Sequence, residues 1–168
     1  MFIQLDVAFV FLFLKIKYMI KETVSGKKER LYVKYLTGVQ ALNIPCLLNT
    51  NGDWHQSGIH WETLKMAESQ GSFFDQYGIE GPKKVPMHKS KIYVANHIRA
   101  LLDMLYDQDF SNAQGMRKDY IGNDLYNNIV FGQVYKMRNL SYWYLIDRFM
   151  ESEYKLYWLA FKESRNNG

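Results

Sequence analysis

The sequence predicts a single α+β domain: a small antiparallel sheet in the N-terminal half, packed against three main helices in the C-terminal half. Three observations carry this. Asn51-Gly52 lies between apolar stretches, and Asn-Gly is the strongest short-range signal for a two-residue hairpin, which needs positive φ at both central residues. Beyond residue 90, apolar side chains recur at steps of three and four, the period of a helix with one buried face. Finally, 168 residues of which 48% are hydrophobic suffice for one core without a second domain.

Taken in chain order, Val7–Leu14 is an apolar run followed by Lys15 and Lys17, too short for the roughly 20 apolar residues of a membrane-spanning helix. It also lacks the basic start and small-residue end of a signal peptide. Residues 22–30 (ETVSGKKER) read as a solvated linker, so residues 1–30 are assigned to an N-terminal extension and residues 31–168 to the domain. On this reading translation starts near Met19 or at Val33, which the intact mass of the native product tests.

Leu31–Thr50 is apolar and favours strands, with Gly38 and Pro45 as breakers. A hairpin closed by Asn51-Gly52 places Thr50 opposite Asp53, Leu48 opposite His55 and Cys46 opposite Ser57, with residues 58–64 continuing the second strand. Residues 65–90, punctuated by Gly71, Gly78, Gly81, Pro82 and Pro86, form a long connection. They read as a surface loop pinned by Phe73, Phe74, Tyr77 and Ile79 packing inward, ahead of the alternative, a functional loop.

Ser90 is the expected cap of the first long helix, with Ile92, Ala95, Ile98, Leu101, Leu102 and Leu105 as its buried stripe. Arg99 and Asp103 stand four apart, positioned to pair on a wetter face. A helical turn over Phe110–Gly115 follows. Asn123 caps a second helix with Leu125, Ile129, Val130, Val134 and Met137 facing in. Ser141 opens a third that buries Ile146, Phe149, Met150, Tyr154, Tyr157, Trp158 and Phe161.

Charge narrows the partners. Six basic and three acidic side chains fall in the first 32 residues, which leaves 15 basic against 14 acidic in the rest. A body so nearly neutral has little charge with which to neutralise phosphates, so nucleic acid ranks below protein as a partner, and membrane ranks last. Cys46 is the only cysteine, which excludes an internal disulfide and cysteine-rich zinc modules and points to a cytoplasmic protein. Between Pro45 and Leu47-Leu48 it reads as a packing residue in apolar surroundings, which raise a thiol pKa.

The densest chemically capable segment is Asp53–Glu62. An enzymatic reading makes His55 a general base oriented by Asp53, or makes Asp53, His55 and Glu62 the ligands of a divalent ion. A binding reading uses Trp54 and Trp61 as aromatic anchors, with Lys83, Lys84, His88 and Lys89 as a basic cluster near a helix start. No phosphate loop, GxSxG elbow, HExxH helix or paired CxxC is present, and no cofactor is predicted. The favoured expectation is a bacterial or phage protein that binds another protein as a regulator or an antitoxin-like neutraliser. The alternative is a small metal-dependent hydrolase or nuclease, or an RNA-binding protein, built on Asp53 and His55.

Overall fold

The computed structural model describes residues 32–53 and 58–166. The predicted extension, and with it Trp54 and His55, lies outside them. Within them the fold is α+β as expected, but the sheet is mixed. Strands β1 (Lys34–Leu36), β2 (Met66–Glu68), β3 (Ile79–Lys83) and β4 (Ile92–Ala95) lie in the order β2-β1-β4-β3. β1 pairs antiparallel with β2 (Tyr35 with Ala67) and parallel with β4 (Tyr35 with Tyr93), while β3 and β4 are antiparallel with a register shift between Glu80 and Lys83. The two central strands bury Tyr35, Leu36, Val94 and Ala95 almost completely.

Two strands therefore come from the presumed loop of residues 65–90. Among the described residues no Asn51-Gly52 hairpin is present, and the expected partners His55 and Ser57 lie outside them. Gly52 does take the positive φ that its signal promises, 72°, but its N–H donates to Tyr120 O (2.9 Å) and that of Asp53 to Leu42 O (2.9 Å). With these N–H groups bonded to distant segments, Gly52 and Asp53 have no backbone donor left for a hairpin ladder. Residues 59–65 form no strand either. Gln40, on the short helix α1 (Gly38–Leu42), holds this segment by donating to His60 O and Thr63 O and accepting from Lys65 N.

The first long helix, α2 (His97–Tyr106), begins six residues later than a cap at Ser90 suggested. Ile92–Ala95, with Tyr93 and Val94 favouring an extended backbone, is consumed by β4. Asn96 is the actual cap: its Oδ1 accepts from Arg99 N at 2.8 Å. A short turn, α3 (Phe110–Ala113), leads to a wide helical turn over Met116–Ile121 bounded by Gly115 and Gly122, both left-handed. Asn123 caps as expected, accepting from Leu125 N (3.0 Å), and opens a tight turn that runs into α4 (Asn127–Tyr135). Val130, Val134 and Met137 are buried, whereas Leu125 and Ile129 face out, because the tight turn shifts the phase of the helix.

The expected third helix is two. Lys155, at φ 51°, separates α5 (Trp143–Tyr154) from α6 (Leu156–Asn166). Trp158 Nε1 donates to Asp147 Oδ1 (2.7 Å) and Lys162 Nζ reaches both Asp147 oxygens (2.7 and 2.9 Å). In one continuous helix residues 147 and 162 stand roughly 22 Å apart, so the chain reverses at Lys155. The reversal packs Phe131 edge-on or tilted against Tyr154, Trp158 and Phe161 at ring separations of 4.9–5.4 Å and turns Tyr157 outward. One group there is unsatisfied: the Tyr154 hydroxyl is buried with no hydrogen-bond partner among the described residues. Tyr154→Phe is therefore expected to raise stability by about 1 kcal/mol, measured by urea unfolding, since the desolvation cost of the hydroxyl disappears while the ring packing stays.

Candidate functional site

Two constellations flank the N-terminal turn of α2, and neither is the Asp53–Glu62 segment. The first is centred on His97. Gly52 packs so closely on this ring that an added Cβ would lie 2.8 Å from His97 Cε1 and 2.5 Å from Leu42 O, which is why glycine stands there. His97 is 2% exposed. Its Nε2 lies 3.0 Å from Ile44 O, an acceptor only, so Nε2 carries a proton. Nδ1 faces the Thr50 hydroxyl at 2.6 Å, and that hydroxyl lies 3.4 Å from Cys46 Sγ. Burial pushes the Cys46 thiol up, but the neighbouring His97 and Thr50 outweigh it and hold the thiol lowered to about 6. Cys46 is buried as a packing residue would be, but its thiol is lowered where apolar surroundings were expected to raise it. Its apolar neighbours in sequence point elsewhere, and its environment is set by a histidine 51 positions away.

The second constellation is centred on Arg99, fully buried rather than on a wet face. Its pairing with Asp103 is as expected (Nε to Oδ1, 2.7 Å). Every other N–H is also used: Nη1 donates to Asp75 O (2.9 Å) and Tyr77 O (2.6 Å), and Nη2 to Tyr35 Oη (2.6 Å) and Ser72 Oγ (3.1 Å). The guanidinium also lies over the rings of Tyr35 and Phe74, 4.9 and 5.5 Å from their centroids. Asp103 Oδ2 accepts from Tyr35 Oη (3.0 Å) and Thr37 Oγ1 (2.7 Å). Burial raises the Asp103 carboxyl above the usual range, against Arg99 and the two hydroxyls, which act in the opposite sense. Burial likewise raises the Tyr35 phenol.

On its outer side this network opens into a hollow of about 140 Å³. Asp103, 13% exposed, forms its floor, and Phe73 and Tyr106, with ring centroids 5.4 Å apart and 37% and 40% exposed, stand beside it. The carboxylates of Glu68 and Asp107 are on the rim, and no lysine, arginine or histidine lines it. Phe73 was expected to pack inward with Phe74; only Phe74 does.

Compared with known protein families, curated proteins and solved structures, the chain matches none.

Several of the residues singled out from sequence lie among the described residues. Asp53 is 7% exposed and accepts from Asn43 Nδ2 at 3.0 Å, while Glu62 is exposed. Among the described residues no three His, Cys, Asp or Glu side chains converge as a metal site. His55, the proposed base, and Trp54 fall outside those residues. Trp61 is half-buried and packs on the core, its carbonyl accepting from His88 Nε2 (2.9 Å). The basic cluster is not at a helix start, since β4 follows it. Lys83 turns inward to Pro45 O (2.5 Å) and Glu80 Oε2 (2.6 Å), leaving Lys84 and Lys89 exposed. No helix among the described residues is long and apolar enough to cross a membrane.

Proposed function

We propose that this protein acts by binding another protein, as its regulator or neutraliser, and that the hollow over Asp103 receives a cationic side chain of that partner. The observation that carries this reading is the lining: an exposed aromatic pair beside a recessed carboxylate, two further carboxylates on the rim, and no basic side chain. Aromatic faces and carboxylates both attract a guanidinium or ammonium group, the aromatic contribution being about 0.5–2 kcal/mol. The rim carboxylates are held only by exposed lysines, Lys34 on Glu68 (3.2 Å) and Lys65 on Asp107 (3.6 Å), pairs weak enough for a partner to displace. At about 140 Å³ the hollow suits one side-chain head and falls short of the several hundred Å³ of a metabolite pocket. Its acidic lining disfavours phosphate, in keeping with the near-neutral body.

A blocked Gly-Arg-Gly peptide tests the proposal by nitrogen–proton correlation spectroscopy. Millimolar peptide is expected to shift the amides of residues 72–74 and 103–107, with no such effect from the citrulline peptide. Phe73→Ala is expected to weaken binding about threefold or more. Equal responses to arginine and citrulline, or none at those amides, would overturn it.

A further inference from the structure

We propose that Cys46 is a peroxide-sensitive thiol whose proton is handled by His97 through the Thr50 hydroxyl. The inference rests on the hydrogen-bonded row Sγ, Oγ1, Nδ1, with spacings of 3.4 and 2.6 Å. A hydroxyl both donates and accepts, so the row exists in two states. In one, S–H donates to Oγ1 and O–H to Nδ1. In the other, Nδ1–H donates to Oγ1 and O–H to the thiolate. Reversing two hydrogen bonds moves one proton from sulfur to imidazole and leaves every group satisfied, with Nε2–H on Ile44 O throughout. His97 also opens α2, a ten-residue helix whose positive end favours negative charge nearby. A cysteine that merely filled space would need neither a buried imidazole nor a bridging hydroxyl, both costly to desolvate.

The other charged groups around Cys46 hold its backbone. Lys83 Nζ donates to Pro45 O, and Leu47 N donates to both Glu80 oxygens (3.1 and 3.2 Å), while Lys83 and Glu80 neutralise each other at 2.6 Å. The backbone on either side of Cys46 is thus held, and at 8% exposure the residue favours a small reagent over a bulky substrate. A hydroperoxide meets that limit. The thiolate attacks one peroxide oxygen, the O–O bond breaks, and the departing hydroxide takes the proton held on His97 and leaves as water. Sulfur is oxidised by two electrons to the sulfenic acid as the peroxide is reduced. With no second cysteine in the chain, no internal disulfide follows.

Because Cys46 is the only cysteine, the test reads one sulfur. The full chain is treated with hydrogen peroxide at pH 6.5, natively and in urea, and the sulfenic acid is trapped with dimedone and weighed intact. Simple burial makes the native protein slower than the unfolded one; the relay is expected to make it faster, by about tenfold, from its larger thiolate fraction. Thr50→Val, similar in volume and unable to pass a proton, is expected to remove that advantage and Thr50→Ser to restore it, provided both give the wild-type circular dichroism spectrum. A native protein slower than the unfolded chain, or Thr50→Val oxidising at the wild-type rate, would overturn the proposal. The peptide titration above is independent of both outcomes.

Discussion

Arg99→Met is expected to destabilise the protein by about 3–5 kcal/mol, measured by urea unfolding followed through tryptophan fluorescence. The magnitude follows from what the substitution strands. Five N–H donors vanish at once, so the carbonyls of Asp75 and Tyr77 and the oxygens of Ser72, Tyr35 and Asp103 each lose one donor. Asp103 is the worst placed, a carboxylate in a nearly closed site with its cation removed. Against a typical total of about 5–15 kcal/mol, such a loss leaves the domain marginal. Arg99→Lys is expected to recover less than half of it, because an ammonium group cannot reproduce the planar fork that reaches several acceptors. Arg99→Met combined with Asp103→Leu is expected to be more stable than Arg99→Met alone, since it also removes the stranded charge. A loss below about 1 kcal/mol for Arg99→Met would mean that water replaces the guanidinium without penalty.

Trp158→Ala is expected to cost a similar amount, about 3–5 kcal/mol in the same assay. This indole is fully buried among Phe131, Trp143 and Phe161, with centroids 5.4–6.1 Å away, and it is the point where α6 returns along α5. Truncation empties a large volume and also deprives Asp147 of a donor. Trp158→Phe separates the two terms: it keeps most of the packing and loses the hydrogen bond, so about 1–2 kcal/mol is expected. If alanine and phenylalanine cost the same, the ring cluster contributes nothing beyond the Asp147 contact.

How much of this was legible in the sequence depends on the distance over which each residue finds its partner. The Arg99 and Asp103 pair follows from helical spacing, yet its burial does not, because the remaining acceptors of Arg99 come from Tyr35, Ser72, Asp75 and Tyr77. Of Asn51-Gly52 only Gly52 takes the positive φ that the hairpin needs at both residues, and Leu42, His97 and Tyr120 decide what that conformation serves. Ser90 and Asn96 are both competent caps, and only pairing with β1 and β3 shows that Ile92–Ala95 between them is a strand. The apolar periodicity of residues 146–161 survives the reversal at Lys155, since two antiparallel helices bury almost the same positions as one long one. For the candidate site, a tetrad spacing links Cys46 to Thr50, but no local signal joins either to His97.

The parallel pairing of β1 with β4 sets a timetable for synthesis. Tyr35 must wait for Tyr93, 58 residues later, so at roughly 5–20 residues per second a central strand of the sheet is without that neighbour for about 3–12 s. The α5–α6 reversal, whose partners lie 11–15 residues apart, assembles within about 3 s of its first residues being joined. During translation the exposed edge of β1 is therefore the long-lived vulnerable element, and a chain stalled before residue 92 carries it without any means of covering it.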